Sequence, residues 1–169
     1  GSIYFNADCD SPEDMSEEDI IRYCDGKVSS SKKCDYLGLV KKIFDKMPEA
    51  KAIFVSMPAA IMGFALANKH FDAKLIPESY IMLKDVTRLP YTAIGDFDKI
   101  ADALTTSSPV VVIDNECMIT VGKNILKAFD RLEVADYSAR SVIMAKSVSE
   151  INPIDEDEVK EIDDTFNGW

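Results

Sequence analysis

The sequence predicts an α/β fold in which a layered sheet carries helices on both faces, and three observations point there. Strand-like and helix-like segments alternate along the 169 residues. The alternation is irregular, and the two strands leading to Gly122 fall side by side, which does not suit a regular doubly wound parallel sheet. Neither G-x-G-x-x-G nor a phosphate-cradling G-x-x-x-x-G-K-[ST] occurs, which weakens a nucleotide-binding reading. With 47% apolar and 29% charged residues, the chain can build one core.

Each element has its own warrant. Ile3–Phe5 reads as a short strand, and the stretch Ser11–Glu18 is acidic and turn-forming. Ser16, with Asp19 three residues on, reads as a helix start before Ile20-Ile21. Cys24-Asp25-Gly26-Lys27 is a turn, and Ser29 to Lys33 a polar loop. Leu37, Val40, Phe44 and Met47 recur at helical spacing until Pro48. Ala52–Val55 is a buried-strand run, and Pro58 suits the first turn of a helix reaching Ala67. Pro77 opens a short helix over Glu78–Leu83, and Phe97, Ile100, Ala101 and Leu104 mark another. Pro109–Ile113 is β-branched and the clearest strand; Cys117–Val121 is the next. Ile125, Ala128, Phe129, Leu132, Ala135, Ala139, Val142 and Ile143 form one apolar stripe on a long helix. The acidic tail 153–169 carries a short helix over Glu156–Ile162.

The net charge of −11 is uneven, with −7 in residues 1–25, −6 in residues 153–169 and a nearly neutral body. Without a basic stripe to displace counterions, nucleic acid and anionic membrane are poor partners. No apolar run of membrane-spanning length and no leader pattern occurs, so the expected location is cytoplasmic. The four cysteines lack C-x-x-C spacing, consistent with reduced thiols. His70 is the only histidine, so no three-imidazole zinc site can form within the chain. At a polar helix exit, its expected role is capping carbonyls.

Val110-Val111-Val112-Ile113-Asp114-Asn115-Glu116-Cys117, then Val121-Gly122, Ala128-Phe129, Leu132-Glu133 and Ala139 resemble the class II aldolase/adducin family. That family's pattern there is a hydrophobic strand, Asn-His-Gly, a short strand ending in Gly and a long helix. Pro48-Glu49-Ala50-Lys51-Ala52-Ile53-Phe54-Val55-Ser56-Met57-Pro58 is similar to the family's strand ending in His-x-His before a helix, and Ile154–Val159 to its final helix. Gly1-Ser2-Ile3-Tyr4 resembles the family's Gly-Asn-x-Ser turn. The resemblance implies a single domain over residues 1–169, three-layer α/β/α with a central mainly antiparallel sheet. The family's N-terminal helix is then absent, and Gly1-Ser2 could be an expression remnant.

Active members, such as fuculose-phosphate aldolase and ribulose-phosphate 4-epimerase, use a zinc ion held by three His to stabilise an enediolate. Carried over, the ligand positions fall on Val55, Met57 and Glu116, and the acid/base Glu on Tyr36. The Pro-Ser-Ser turn falls on Lys33-Cys34-Asp35, and the phosphate-holding Ser on Tyr4. Val55 has no donor atom, and the thioether of Met57 suits Cu(I) better than zinc. Glu116, with Asp114, could hold at most a hard cation. The resemblance would imply zinc, but no cofactor is expected here.

The expected function is therefore that of a degenerate member, non-catalytic, acting by binding a sugar-phosphate-type ligand or by assembly into a homo-oligomer, as a tetramer. The family includes adducin, whose aldolase-like head is not an enzyme. The alternative is a still-active lyase or epimerase on a sugar phosphate or small carbonyl compound. It would use Glu116 with another metal, or Tyr36, Asp35 and Glu116 without one. Ser29, Ser30, Ser31, Lys32 and Lys33 are the candidate phosphate site, if they lie over the first turn of the following helix.

Overall fold

The computed structural model describes residues 1–7, 14–32 and 34–166. They form two compact units, residues 1–41 and 42–169. Cys9, residues 11–13 of the predicted acidic turn, Lys33 of the predicted loop and residues 167–169 of the tail lie outside the described residues.

In the first unit, β1 (Ile3–Asn6), β2 (Ile20–Cys24) and β3 (Lys27–Val28) form an antiparallel sheet in that order. Asp25 and Gly26 join β2 to β3 with φ of 49° and 81°. Two consecutive left-handed residues make the tight hairpin turn whose twist matches the strands, and glycine and aspartate tolerate it. The predicted helix start at Ser16 requires correction. Its capping hydrogen bonds form, with Ser16 N and Oγ both donating to Asp19 at 2.8 and 2.9 Å. Only one 3-10 turn, Glu17–Asp19, follows before the chain enters β2. Ile20 and Ile21 are β-branched, and pairing with Asn6 and Phe5 satisfies their backbone groups better than a further helical turn would.

Helix α1 (Leu37–Lys46) crosses from the first unit into the second. The second unit holds β4 (Ala52–Ser56), β5 (Val86–Leu89), β6 (Val110–Ile113) and β7 (Cys117–Gly122), in the order β4-β7-β6-β5. β7 is antiparallel to both neighbours, while β5 and β6 are parallel. The parallel pair needs a crossover, which α4 (Phe97–Ala103) supplies. The other helices are α2 (Ala59–Leu66), α3 (Pro77–Leu83), α5 (Ile125–Lys146) and α6 (Glu156–Thr165).

Val86, Val110, Val112 and Met118 pack with residues of α2, α3 and α5 on one sheet face. On the other face Val111, Ile113, Ile119 and Val121 are equally buried, so both faces are covered. Beside α4, the second half of α1 is tied down by ion pairs from Lys42 to Asp98 at 2.6 Å and from Lys46 to Asp102.

Several boundaries shift for physical reasons. Pro58 is the N-cap of α2, not a residue of its first turn. The strand at Val86–Leu89 and the strand character of residues 20–28 are absent from the sequence reading. Among the described residues, His70 caps no carbonyl. The end of α2 is closed by backbone, with Asn68 N donating to Ala65 O at 3.0 Å and Lys69 N to Phe64 O at 2.8 Å. Asn68 adopts φ 55°, the left-handed residue this helix ending uses. The stripe on α5 is also rotated from its predicted position. Ile125, Phe129 and Ile143 stay exposed, whereas Arg131 and Ser138 are buried beside Ala128, Ala135 and Ala139. Small residues let the helix backbone approach the sheet, and that closeness selects the buried arc.

Candidate active site

The strand order brings Val55, Met57 and Glu116, the positions onto which the resemblance carries the ligands, to one end of the sheet. β4 runs antiparallel to β7, with Ser56 opposite Met118, so its C-terminus lies beside the start of β7. Ile113 pairs with Cys117, closing Asp114-Asn115-Glu116 into a hairpin loop. Asn115 turns this loop with φ 58°, and Glu116 N donates to Ile113 O at 3.2 Å. Val55, Met57 and Glu116 thus meet at the ends of neighbouring strands. Tyr36 belongs to the first unit, at the entry to α1, where its carbonyl accepts from Val40 N at 2.9 Å.

Among the described residues, the side chains at this end offer no set of three zinc donors. Val55 offers no donor, and Met57 is a thioether 75% exposed to solvent. Among the described residues, no group of three His, Cys, Asp or Glu side chains could hold an ion. Glu116 is half-buried, and among the described residues its carboxylate has no hydrogen bond or ion pair. Cys117 beside it is buried, and its thiol is pushed up to about 11, first by desolvation and then by the Glu116 charge. At neutral pH this sulfur stays protonated and is a poor nucleophile or ligand.

Asp114, the acid expected to stand with Glu116, is committed elsewhere. Arg88 on β5 grips it with two bonds, Nε to Oδ1 at 2.6 Å and Nη2 to Oδ2 at 2.8 Å. The same Nη2 donates to Asn68 Oδ1 at 2.7 Å, tying in the end of α2. The parallel register places Arg88 one residue before Leu89, which lies opposite Ile113. Three elements are therefore locked by one guanidinium. Asp114→Asn should cost about 1–3 kcal/mol in urea unfolding, the range for charge-assisted bonds away from bulk water. Glu116→Gln should change stability by less than about 0.5 kcal/mol.

At the start of α2, Asp136 of α5 accepts from Ala60 N at 2.8 Å, so a carboxylate already occupies the helix terminus next to Met57. Beside it, Ser56 Oγ is buried without a hydrogen-bond partner among the described residues. In the predicted phosphate loop, Ser29 extends the β2–β3 pairing, exchanging bonds with Arg22 through its own amide and hydroxyl at 2.9 Å. Lys32 Nζ binds Asp19 at 2.6 Å, and this bond, with those from Ser16, lowers the Asp19 carboxyl to about 2. The sequence reading missed Arg88, Asn68 and Asp136 as site-ordering groups. Nothing local marks them, because each meets its partner across the fold.

The site end of this α/β core is a loop between two antiparallel strands beside a strand–helix junction. The model of the class II aldolase and adducin N-terminal domain matches residues 3–143, and the chain belongs to that family. An L-fuculose phosphate aldolase of Methanococcus maripaludis (strain C5) is 23% identical over 127 residues, covering 75% of this chain and 70% of the relative. The L-fuculose phosphate aldolase of Methanocaldococcus jannaschii is 23% identical over 132 residues, covering 78% and 70%. Among solved structures, an L-fuculose 1-phosphate aldolase superposes with a TM-score of 0.79 at 15% identity, covering 99% of this chain and 81% of its own. The L-fuculose-1-phosphate aldolase of Thermus thermophilus gives 0.70 at 15% identity, covering 83% and 75%. No helix of the described residues is long and apolar enough to cross a membrane.

Proposed function

We propose that this chain is a class II aldolase-type domain whose zinc and acid/base positions have been replaced, and that it works by binding and assembly. The observation that carries this reading is the donor set at the sheet end. Val55, Met57 and a lone Glu116 stand where three ligands would be needed, and Asp114 is held by Arg88. Such a set cannot hold the Lewis acid on which an enediolate mechanism relies. The ligand class is a phosphorylated sugar or a related small carbonyl compound, by analogy with the fuculose phosphate aldolases it resembles. Ser29–Lys33 is the candidate for its phosphate, at the expense of the bond between Lys32 and Asp19. The reading takes residues 1–169 as one family domain acting in the cytoplasm, with neither nucleic acid nor membrane as partner.

Assembly is supported by large apolar side chains left in solvent, among them Met57 and, on α5, Ile125, Leu126, Tyr137 and Met144. We expect a homo-oligomer, in its simplest form a tetramer; a strict monomer in sedimentation would remove this part of the proposal.

The decisive experiment is metal analysis of the purified protein with aldol cleavage assays on fuculose, rhamnulose and ribulose phosphates. The expected result is no stoichiometric metal and no turnover, with a saturable rise in Tm on adding one of these sugar phosphates. Stoichiometric metal with turnover abolished by Glu116→Gln would overturn it in favour of an active lyase or epimerase. The variant carrying Val55→His, Met57→His and Glu116→His should take up one zinc per chain where the natural sequence takes none, because the strands already bring these positions together.

A further inference from the structure

At the opposite end of the same sheet, before β5 and β6 begin, a cavity of about 660 Å³ opens between the end of α3, the 105–108 loop and α6. Most of its lining residues carry polar side chains, and it is already organised around an anion. Asp163 of α6 places its carboxylate there, accepting from Tyr80 Oη at 2.7 Å and from Lys84 Nζ at 2.8 Å. A second ammonium, that of Lys74, is near enough to help lower the Asp163 carboxyl. Tyr80 is buried, and Lys84 closes α3 in the left-handed region with φ 53°. The donors therefore sit on a fixed helix end, and the acceptor is the part that can leave.

Helix α6 depends on this bond more than an ordinary helix would. Six of its ten residues are acidic, Asp163 and Asp164 lie at its C-terminal end, and no basic residue offsets them there. Negative charge at that end opposes the helix dipole. Val159 is its one buried side chain among the described residues. Asp72, Asp85, Thr106 and Ser107 complete the polar lining of the cavity, and two of these groups stand out, the hydroxyl of Thr106 and the carboxylate of Asp85. Neither has a hydrogen bond or ion pair among the described residues. They would receive a hydroxyl or ammonium on whatever enters.

We propose that this cavity is a binding site for a small organic carboxylate bearing a hydroxyl or ammonium group, and that α6 occupies its anion position in cis through Asp163. The external carboxylate takes the bonds of Tyr80 and Lys84, and α6 is released as it binds. The site lies away from Met57 and Glu116, and does not depend on the function proposed above.

The test titrates the full chain with lactate, and with acetate as the carboxylate alone, at constant ionic strength balanced with chloride. Amide exchange of residues 156–165 is followed alongside backbone chemical shifts. Lactate should bind saturably, more tightly than acetate, and accelerate exchange across α6. Asp163→Asn removes the internal competitor, so lactate should bind about tenfold more tightly, as expected when a binding-competent state ceases to be minor. Lys84→Met should abolish binding. If that variant does not fold, Tyr80→Phe, which loses one of the two donors, should weaken binding several-fold. No saturable binding to either the natural chain or Asp163→Asn would overturn the proposal, as would saturation with α6 exchange unchanged.

Discussion

Gly122→Ala will destabilise the protein by about 3 kcal/mol, at the upper end of the range for overpacked sites. A Cβ at Gly122 would stand 2.4 Å from Ala128 N, 2.9 Å from its Cα and 3.0 Å from its Cβ. The obstacle is helix backbone and not a side chain that can swing aside. To make room, the first turn of α5 would have to lift from the end of β7. That would disturb the bond from Thr120 Oγ1 to Ala128 O at 2.9 Å and the cover over the sheet face. For a chain of this size the loss corresponds to a fall in Tm of about 6–12 °C. Combining it with Ala128→Gly should restore little, since that removes only the 3.0 Å contact and leaves the amide nitrogen in place. A double variant as stable as the natural chain would show that the helix can move after all.

Arg131→Met will also cost about 3 kcal/mol, for a different reason. Arg131 is 2% exposed, yet its Nε donates to Met82 O at 3.0 Å and its Nη1 to Val121 O. One side chain of α5 thereby satisfies a carbonyl in the last turn of α3 and another at the end of β7. Burial pulls the guanidinium down to about 10, so it remains charged at neutral pH. Methionine fills much of the volume but supplies no donor, and each carbonyl left short costs about 1–3 kcal/mol. Arg131→Lys should fall between the natural chain and the methionine variant, because an ammonium lacks the planar fork that reaches both carbonyls. Urea unfolding of the three proteins gives the ranking. Equal stability of Arg131→Lys and the natural chain would mean that charge alone, and not the double bond to α3 and β7, is what this position supplies.

The two residues differ in how visible they are before folding. Gly122 stands at the end of a β-branched strand in a resemblance that expects glycine, so its importance can be read locally. Arg131 cannot be read that way. On the sequence it looks like the polar side of an amphipathic helix, and the apolar stripe through Ile125, Phe129 and Ile143 draws attention to the wrong arc. The same blindness hides β5. Val86-Thr87-Arg88-Leu89 is four residues with a cation in the middle, and it is a strand because it pairs in parallel with Val110–Ile113 while Asp114, 26 positions on, receives that cation. Ser16 and Asp19 fail in the opposite direction. Their local capping signal is real and forms, but pairing with β1 outcompetes the helix it announces.

For the candidate site, the family resemblance carries the ligand positions onto Val55, Met57 and Glu116, and the strand register puts these three residues at one end of the sheet. What else occupies that end was not legible. The Arg88 fork, the Asp136 cap on α2 and the Asp163 bonds to Tyr80 and Lys84 join residues 20 to 83 positions apart. No spacing rule connects such partners.

The sequence by itself determined which chemistry this protein has at hand: one imidazole, two acidic ends, and the alternating segments that build a layered α/β core. Only the tertiary structure decided which carboxylates are spoken for and which cations are buried. Charge and donor count belong to a residue wherever it sits, whereas a hydrogen bond exists only once two remote stretches of chain have been brought within about 3 Å of each other.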